Sequence, residues 1–135
     1  LPQVIGCRQE GWIPLAAELK ADSRLSVVEG DIYARLLAEP KGEPFDAILI
    51  DVDHSPEDPL DASSTVFYTP GGLSRATRYL RPGGVLALWS YEEHASTVEA
   101  MREALSDVSV HRVTYYNQHV HQDFTDCIYI GCKAL

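Results

Sequence analysis

The residue best placed for chemistry is Asp51, which directly follows the apolar, β-branched run Phe45-Asp46-Ala47-Ile48-Leu49-Ile50. Open α/β sheets hold their ligands at the carboxyl ends of the strands. A carboxylate there, beside helix N-termini, stays ionised and accepts hydrogen bonds or a proton. Asp53 and His54 come next, followed by Ser55-Pro56. They read either as a polar pair of an active site or as a hydrogen-bonded turn, where Asp and Pro are favoured. Glu57, Asp58 and Asp61 make the same loop more negative, to steer a cation or simply to stay solvated. Tyr68 is a candidate wall for a substrate pocket. Trp89 reads as core, while Ser90 and Tyr91 follow the next strand and are placed to line the cleft.

Two further constellations stand apart from this loop. Asp31 precedes a helical pattern, so it is either a plain helix N-cap or a ligand acceptor. His119-Val120-His121, with His111 upstream, would put two imidazoles on one face of a strand, a metal pair. In a hairpin turn the same residues would be a solvated loop. No P-loop, Gly-x-Ser-x-Gly or Cys-x-x-Cys motif is present.

The elements that must position these residues alternate between strand and helix. Leu15, Ala16 and Leu19 suggest a helix ending near Asp22-Ser23, and Leu25–Glu29 alternates like a short strand. A helix is expected over Ile32–Ala38, and Pro40, Gly42 and Pro44 break the chain after it. The run 45–50 reads as a strand buried on both faces, and 51–65 as a loop. Thr69-Pro70 is an N-cap with proline at the first helical position. Leu73, Ala76, Thr77 and Leu80 give that helix an inward face. Arg81-Pro82-Gly83-Gly84 reads as a tight turn into a second buried strand, Val85–Trp89. Val98, Met101, Leu105 and Val108 mark another helix, and strands at about Ser109–Tyr116 and Phe124–Cys132 form an antiparallel hairpin.

Composition narrows the class. The 135 residues suffice for one domain with a sizeable core. A formal net charge of −9 argues against a duplex nucleic-acid binder and suits a cationic ligand, or solubility alone. No apolar run approaches the ~18 residues of a membrane helix. Cys7, Cys127 and Cys132 make neither a disulfide framework nor a zinc knuckle, so the expected compartment is the cytoplasm.

The stretch Asp46–Ser90 resembles the spermidine synthase family and related bacterial synthase-like proteins. The residues carrying the likeness are Phe45–Asp51, Phe67-Tyr68 and Leu80-Arg81-Pro82-Gly83-Gly84-Val85-Leu86-Ala87-Leu88-Trp89-Ser90, with Val28-Glu29-Gly30-Asp31 upstream. The resemblance implies a Rossmann-like α/β domain of the class I methyltransferase type over residues 1–135, three-layered, with parallel strands closed by a C-terminal antiparallel hairpin. It implies S-adenosylmethionine or decarboxylated S-adenosylmethionine as cofactor. Asp31 would accept from the adenine amino group, with Gly30 beside it and Ile32 packed on the ring. Asp51 would be the base for aminopropyl transfer to a small amine, since an amine must lose its proton to attack. Asp53, His54, Tyr68 and Ser90 would contact that substrate. The family pattern Asp-Ser-Ser-Asp-Pro reads here as Asp51-Val52-Asp53-His54-Ser55-Pro56, closer to the synthase-like group. Small-molecule methyl transfer is the alternative chemistry, and a non-catalytic remnant or interaction module the alternative class.

A complete domain of that type opens with a strand, a glycine-rich turn and a second strand ending in an acid. Val4-Ile5-Gly6-Cys7-Arg8 is no such turn. The expected sheet order 3-2-1-4-5-7-6 would then lack its N-terminal strands and expose an apolar edge at 45–50. That edge is expected to pair in a homodimer or with a separate N-terminal segment.

Overall fold

The computed structural model describes residues 6–7, 10–52, 55–58 and 62–135. The chain divides into two units, Leu1–Ile32 and Tyr33–Leu135.

In the first unit, helix α1 spans Ala16–Ala21 and buries Ala16. It stops at Asp22, whose extended backbone still donates its N–H to the Glu18 carbonyl. Arg24 pairs with Asp22 at 2.6 Å and holds that carboxyl below its ordinary range. Leu25–Glu29 is not a strand. It is irregular, and Leu25, Val27 and Val28 are exposed. Alternation alone does not make a strand, because the backbone N–H and C=O groups must find a neighbouring strand. Among the described residues none pairs with this segment.

The second unit holds the sheet. Helix α2 (Ile32–Leu37) turns Tyr33 and Leu36 inward. The Tyr33 ring lies 4.9 Å from Phe67, and the Tyr79 hydroxyl donates to the Arg35 carbonyl. Strand β1 is Phe45–Ile50. Helix α3 (Ala62–Phe67) occupies part of what reads in the sequence as loop, and Phe67 is fully buried. Helix α4 (Pro70–Thr77) starts as expected: the Thr69 hydroxyl accepts from the Gly72 N–H at 3.1 Å, with Pro70 at the first helical position. Gly72 is required there, since a Cβ would lie 2.2 Å from the Val66 carbonyl oxygen.

Strand β2 runs from Leu80 to Ser90, followed by helix α5 (Ala95–Ala104) and the strands β3 (Ser106–Asn117) and β4 (Gln122–Cys132). The Arg81–Gly84 stretch is an irregularity within β2, not a turn before it. Phe45 pairs with Leu80 but Ala47 with Val85, so the intervening residues are bulged out. Gly83 makes this possible with a φ of 73°, and Gly84 because a Cβ would crowd the Arg81 and Asp46 carbonyls.

Among the described residues the sheet has four strands, in the order β1-β2-β4-β3. β1 and β2 are parallel, while β4 is antiparallel to both β2 and β3. This matches the 4-5-7-6 end of the expected order. Side chains at alternate positions sort the two faces. Ile48, Ile50, Leu86, Leu88, Ser90, Cys127 and Tyr129 share the buried face, where Met101 and Leu105 meet Gly131. The other face carries Leu49, Ala87, Trp89, Ile128 and Ile130, and Leu49 is 75% exposed. β1 is therefore not buried on both faces: only Ile48 and Ile50 are covered. An apolar run reads the same whether one face or both are covered, which is why the sequence overstates this strand's burial.

Candidate functional site

Asp51 lies at the carboxyl end of β1, just past Ile50, and is exposed. Its side of the parallel pair is also the end of β2, so the loops after the two strands meet there. The second loop begins at Ser90, which is fully buried. The Ser90 hydroxyl donates to the Glu92 carbonyl at 2.7 Å and receives the Glu92 N–H at 3.3 Å. That hydroxyl shapes the start of the loop. Tyr91, its neighbour, is exposed, and its hydrogen bond with the Glu92 carboxylate pushes the phenol up.

The sequence reading missed the residue that ties these loops together. His94 Nδ1 lies 3.3 Å from Glu57 Oε2 in the loop after β1. Its Nε2 lies 3.4 Å from Glu92 Oε1 in the loop after β2. The side chain is 11% exposed, and Nε2 has no hydrogen-bond partner among the described residues. The His94 backbone N–H donates to the Tyr129 hydroxyl at 2.7 Å, and that hydroxyl donates to the Glu92 carbonyl at 3.1 Å. Ser96 at the start of α5 donates to the other Glu57 oxygen at 2.9 Å. Burial pushes the Tyr129 phenol up, and the His94 N–H opposes it. The signal for His94 was its place, four residues past a strand end in the run Ser90-Tyr91-Glu92-Glu93-His94.

The loop after β1 is held by a short bridge between Ser55 and Asp58. The buried Ser55 hydroxyl accepts the Asp58 N–H at 3.1 Å. Together the two loops present Asp51, Glu57, Asp58, Glu92 and Glu93 at one end of the sheet. Glu93 forms an ion pair with Arg112 of β3, joining the hairpin to the same rim. The hairpin's turn lies beyond the carboxyl end of β2, because Ser90 pairs with Cys127 and β4 begins five residues earlier, at Gln122.

Asp53 and His54 lie outside the described residues. Tyr68 is half-buried and shares a hydrogen bond of 3.0 Å with the Tyr33 hydroxyl. Gly30 and Asp31 are exposed in the first unit, directly before α2, with Ile32 half-buried at the helix start. His119 and His121 sit in the hairpin turn, where the Tyr116 hydroxyl approaches His121 Nδ1 at 3.3 Å. Among the described residues no group of three metal-ligating side chains forms. Nor is any described helix long and apolar enough to cross a membrane.

No family model matches the chain, and no curated protein matches it. A solved structure does: the N-methyltransferase NodS from Bradyrhizobium japonicum WM9, with a TM-score of 0.52 at 18% identity. The likeness covers 91% of this chain and 70% of that one. Identity this low speaks to fold alone. With the parallel pair β1–β2 and the reversed β4 between β2 and β3, it assigns the chain the Rossmann-like fold of the methyltransferase type.

Proposed function

We propose that this chain belongs to an S-adenosylmethionine-dependent methyltransferase that acts on a small cationic amine. The observation carrying the reading is the carboxylate-lined carboxyl end of the β1–β2 pair, on a fold shared with an N-methyltransferase. That neighbour supports methyl transfer over the aminopropyl transfer implied by the spermidine synthase resemblance, so decarboxylated S-adenosylmethionine is not needed.

An exposed carboxylate at Asp31, beside a glycine with open space at its missing Cβ, has the chemistry to accept from an exocyclic amino group. The cofactor supplies a methyl group on a sulfonium. The chain's own residues supply the rest. Glu57, Asp58 and Glu92 attract and hold an ammonium-bearing acceptor. Asp51 takes the proton that leaves the attacking nitrogen, since only the free amine is a nucleophile. The His94 clamp keeps the two loops in register, so that the acceptor meets a fixed set of oxygens.

Calorimetry with S-adenosylmethionine, followed by a methyl-transfer assay over a panel of small amines, tests the reading. Asp51→Asn is expected to keep cofactor binding and to lower turnover by about 10²–10⁴, the usual worth of a positioned base. Absence of binding at millimolar cofactor would sink the proposal and favour an interaction module.

A further inference from the structure

We infer that the outer edge of β3 is a docking edge for a second copy of this chain, which adds its own β3 antiparallel about a two-fold axis. β3 ends the sheet, and among the described residues nothing pairs with its outer side. It is twelve residues long, and its pairing with β4 is regular from Ser109 to Asn117. Long, regular edges of this kind are templates for strand addition. The other edge, β1, is six residues long and carries Asp46 in an ion pair with Arg81 at 2.8 Å. Short length and charge are the usual protections of an edge. The self-pairing expected at 45–50 therefore fits better at β3.

Charge selects the occupant. The chain as a whole carries −9, so two copies repel over most of their surface. β3 carries little of that charge: Arg112 is balanced by its ion pair with Glu93, and Asp107, the strand's one carboxylate, lies at its start, away from Val113. Exposed charges farther apart than about 8 Å are largely screened at physiological salt, which leaves contact at a neutral strip unopposed. Side chains favour the same arrangement. Val113 and Tyr115 are exposed on one face, with Tyr115 stacked on Phe124 across the hairpin at 6.0 Å. A two-fold axis through Val113 sets Val113 against its copy, Arg112 against Thr114 and His111 against Tyr115. No like charges then stand directly opposite each other, and the Val113 and Tyr115 side chains of the two copies form one apolar patch, flanked on each copy by Asp126, the cross-strand neighbour of Val113. A two-fold contact of this kind closes on itself.

Light scattering on the chain over a concentration series tests this. The expected mass is twice 15.0 kDa at high concentration, with the dimer strengthened by added salt. Val113→Lys places two ammonium groups at the axis and should return the mass to 15.0 kDa with an unchanged circular dichroism spectrum. Hydrogen exchange on the unsubstituted chain gives a readout independent of that variant: β3 amides should slow as concentration rises. A monomer at every concentration with freely exchanging β3 amides overturns the proposal. So does a dimer that survives Val113→Lys but is lost in Leu49→Lys, which would move the contact to β1.

Discussion

At the residue scale the informative side chains are those whose polar atoms already have partners. Asp51 is exposed at a strand end, and its position follows from the apolar run before it. His94 could not be ranked that way, because what distinguishes it is the approach of Glu57 and Glu92 from two different loops. Tyr129 yields a pH prediction. Burial raises its phenol above the ordinary value, so the folded chain holds that proton more tightly than the unfolded one. The contribution is complete below the unfolded value of about 10 and disappears as pH rises through the folded value. The buried Cys127 thiol, also pushed up by burial, acts in the same direction from about pH 8.5. Stability should therefore fall on the alkaline side, read as a declining urea midpoint. Tyr129→Phe should flatten the Tyr part of that decline. It should also cost about 1–3 kcal/mol at neutral pH, because the His94 backbone N–H loses its acceptor. An unchanged midpoint in that variant would show that the hydroxyl holds nothing.

At the element scale the sequence marks starts and stops better than pairings. The Thr69-Pro70 cap, the strand at Phe45–Ile50 and the terminal hairpin lie where the side-chain pattern puts them. Those signals are local: a hydroxyl three residues from an N–H, or an apolar run between breakers. Leu25–Glu29 has the alternation of a strand without a partner, and the Arg81–Gly84 stretch looks like a turn but is accommodated as a bulge between paired residues. Both outcomes depend on what lies alongside, which periodicity does not encode. Gly72 shows the same dependence at one atom. Helix propensity favours Ala over Gly by about 1 kcal/mol. Yet a methyl at Gly72 would collide with the Val66 and Phe67 carbonyls of α3. Gly72→Ala is expected to destabilise the chain by about 3 kcal/mol in denaturant titration, against the propensity trend. A stabilised variant would mean that the α3–α4 approach is looser than its atoms indicate.

At the scale of the whole molecule, charge is the property that travels farthest. With 20 acidic and 11 basic residues, the chain repels itself when compact. Raising salt from about 0.01 to 0.15 M shortens the screening length from about 30 to 8 Å, so the melting temperature should rise over that range. Calorimetry at matched chain concentration checks this, and a falling temperature would mean that favourable ion pairs outweigh the repulsion.

What the sequence by itself determined is the part written in local chemistry. That is the class of fold through its alternating elements, the strand that carries Asp51, the capped helix after it, the reversed hairpin at the end and the acidic character of the loop between. What only the tertiary structure decided is everything that needs two distant segments to meet. Examples are the His94 clamp between Glu57 and Glu92, the engagement of Ser90 with its own loop, and the exposure of Leu49 on an edge strand. The physical reason is that a side chain's type fixes which bonds it is able to make, whereas its neighbours across the fold fix which of them it makes.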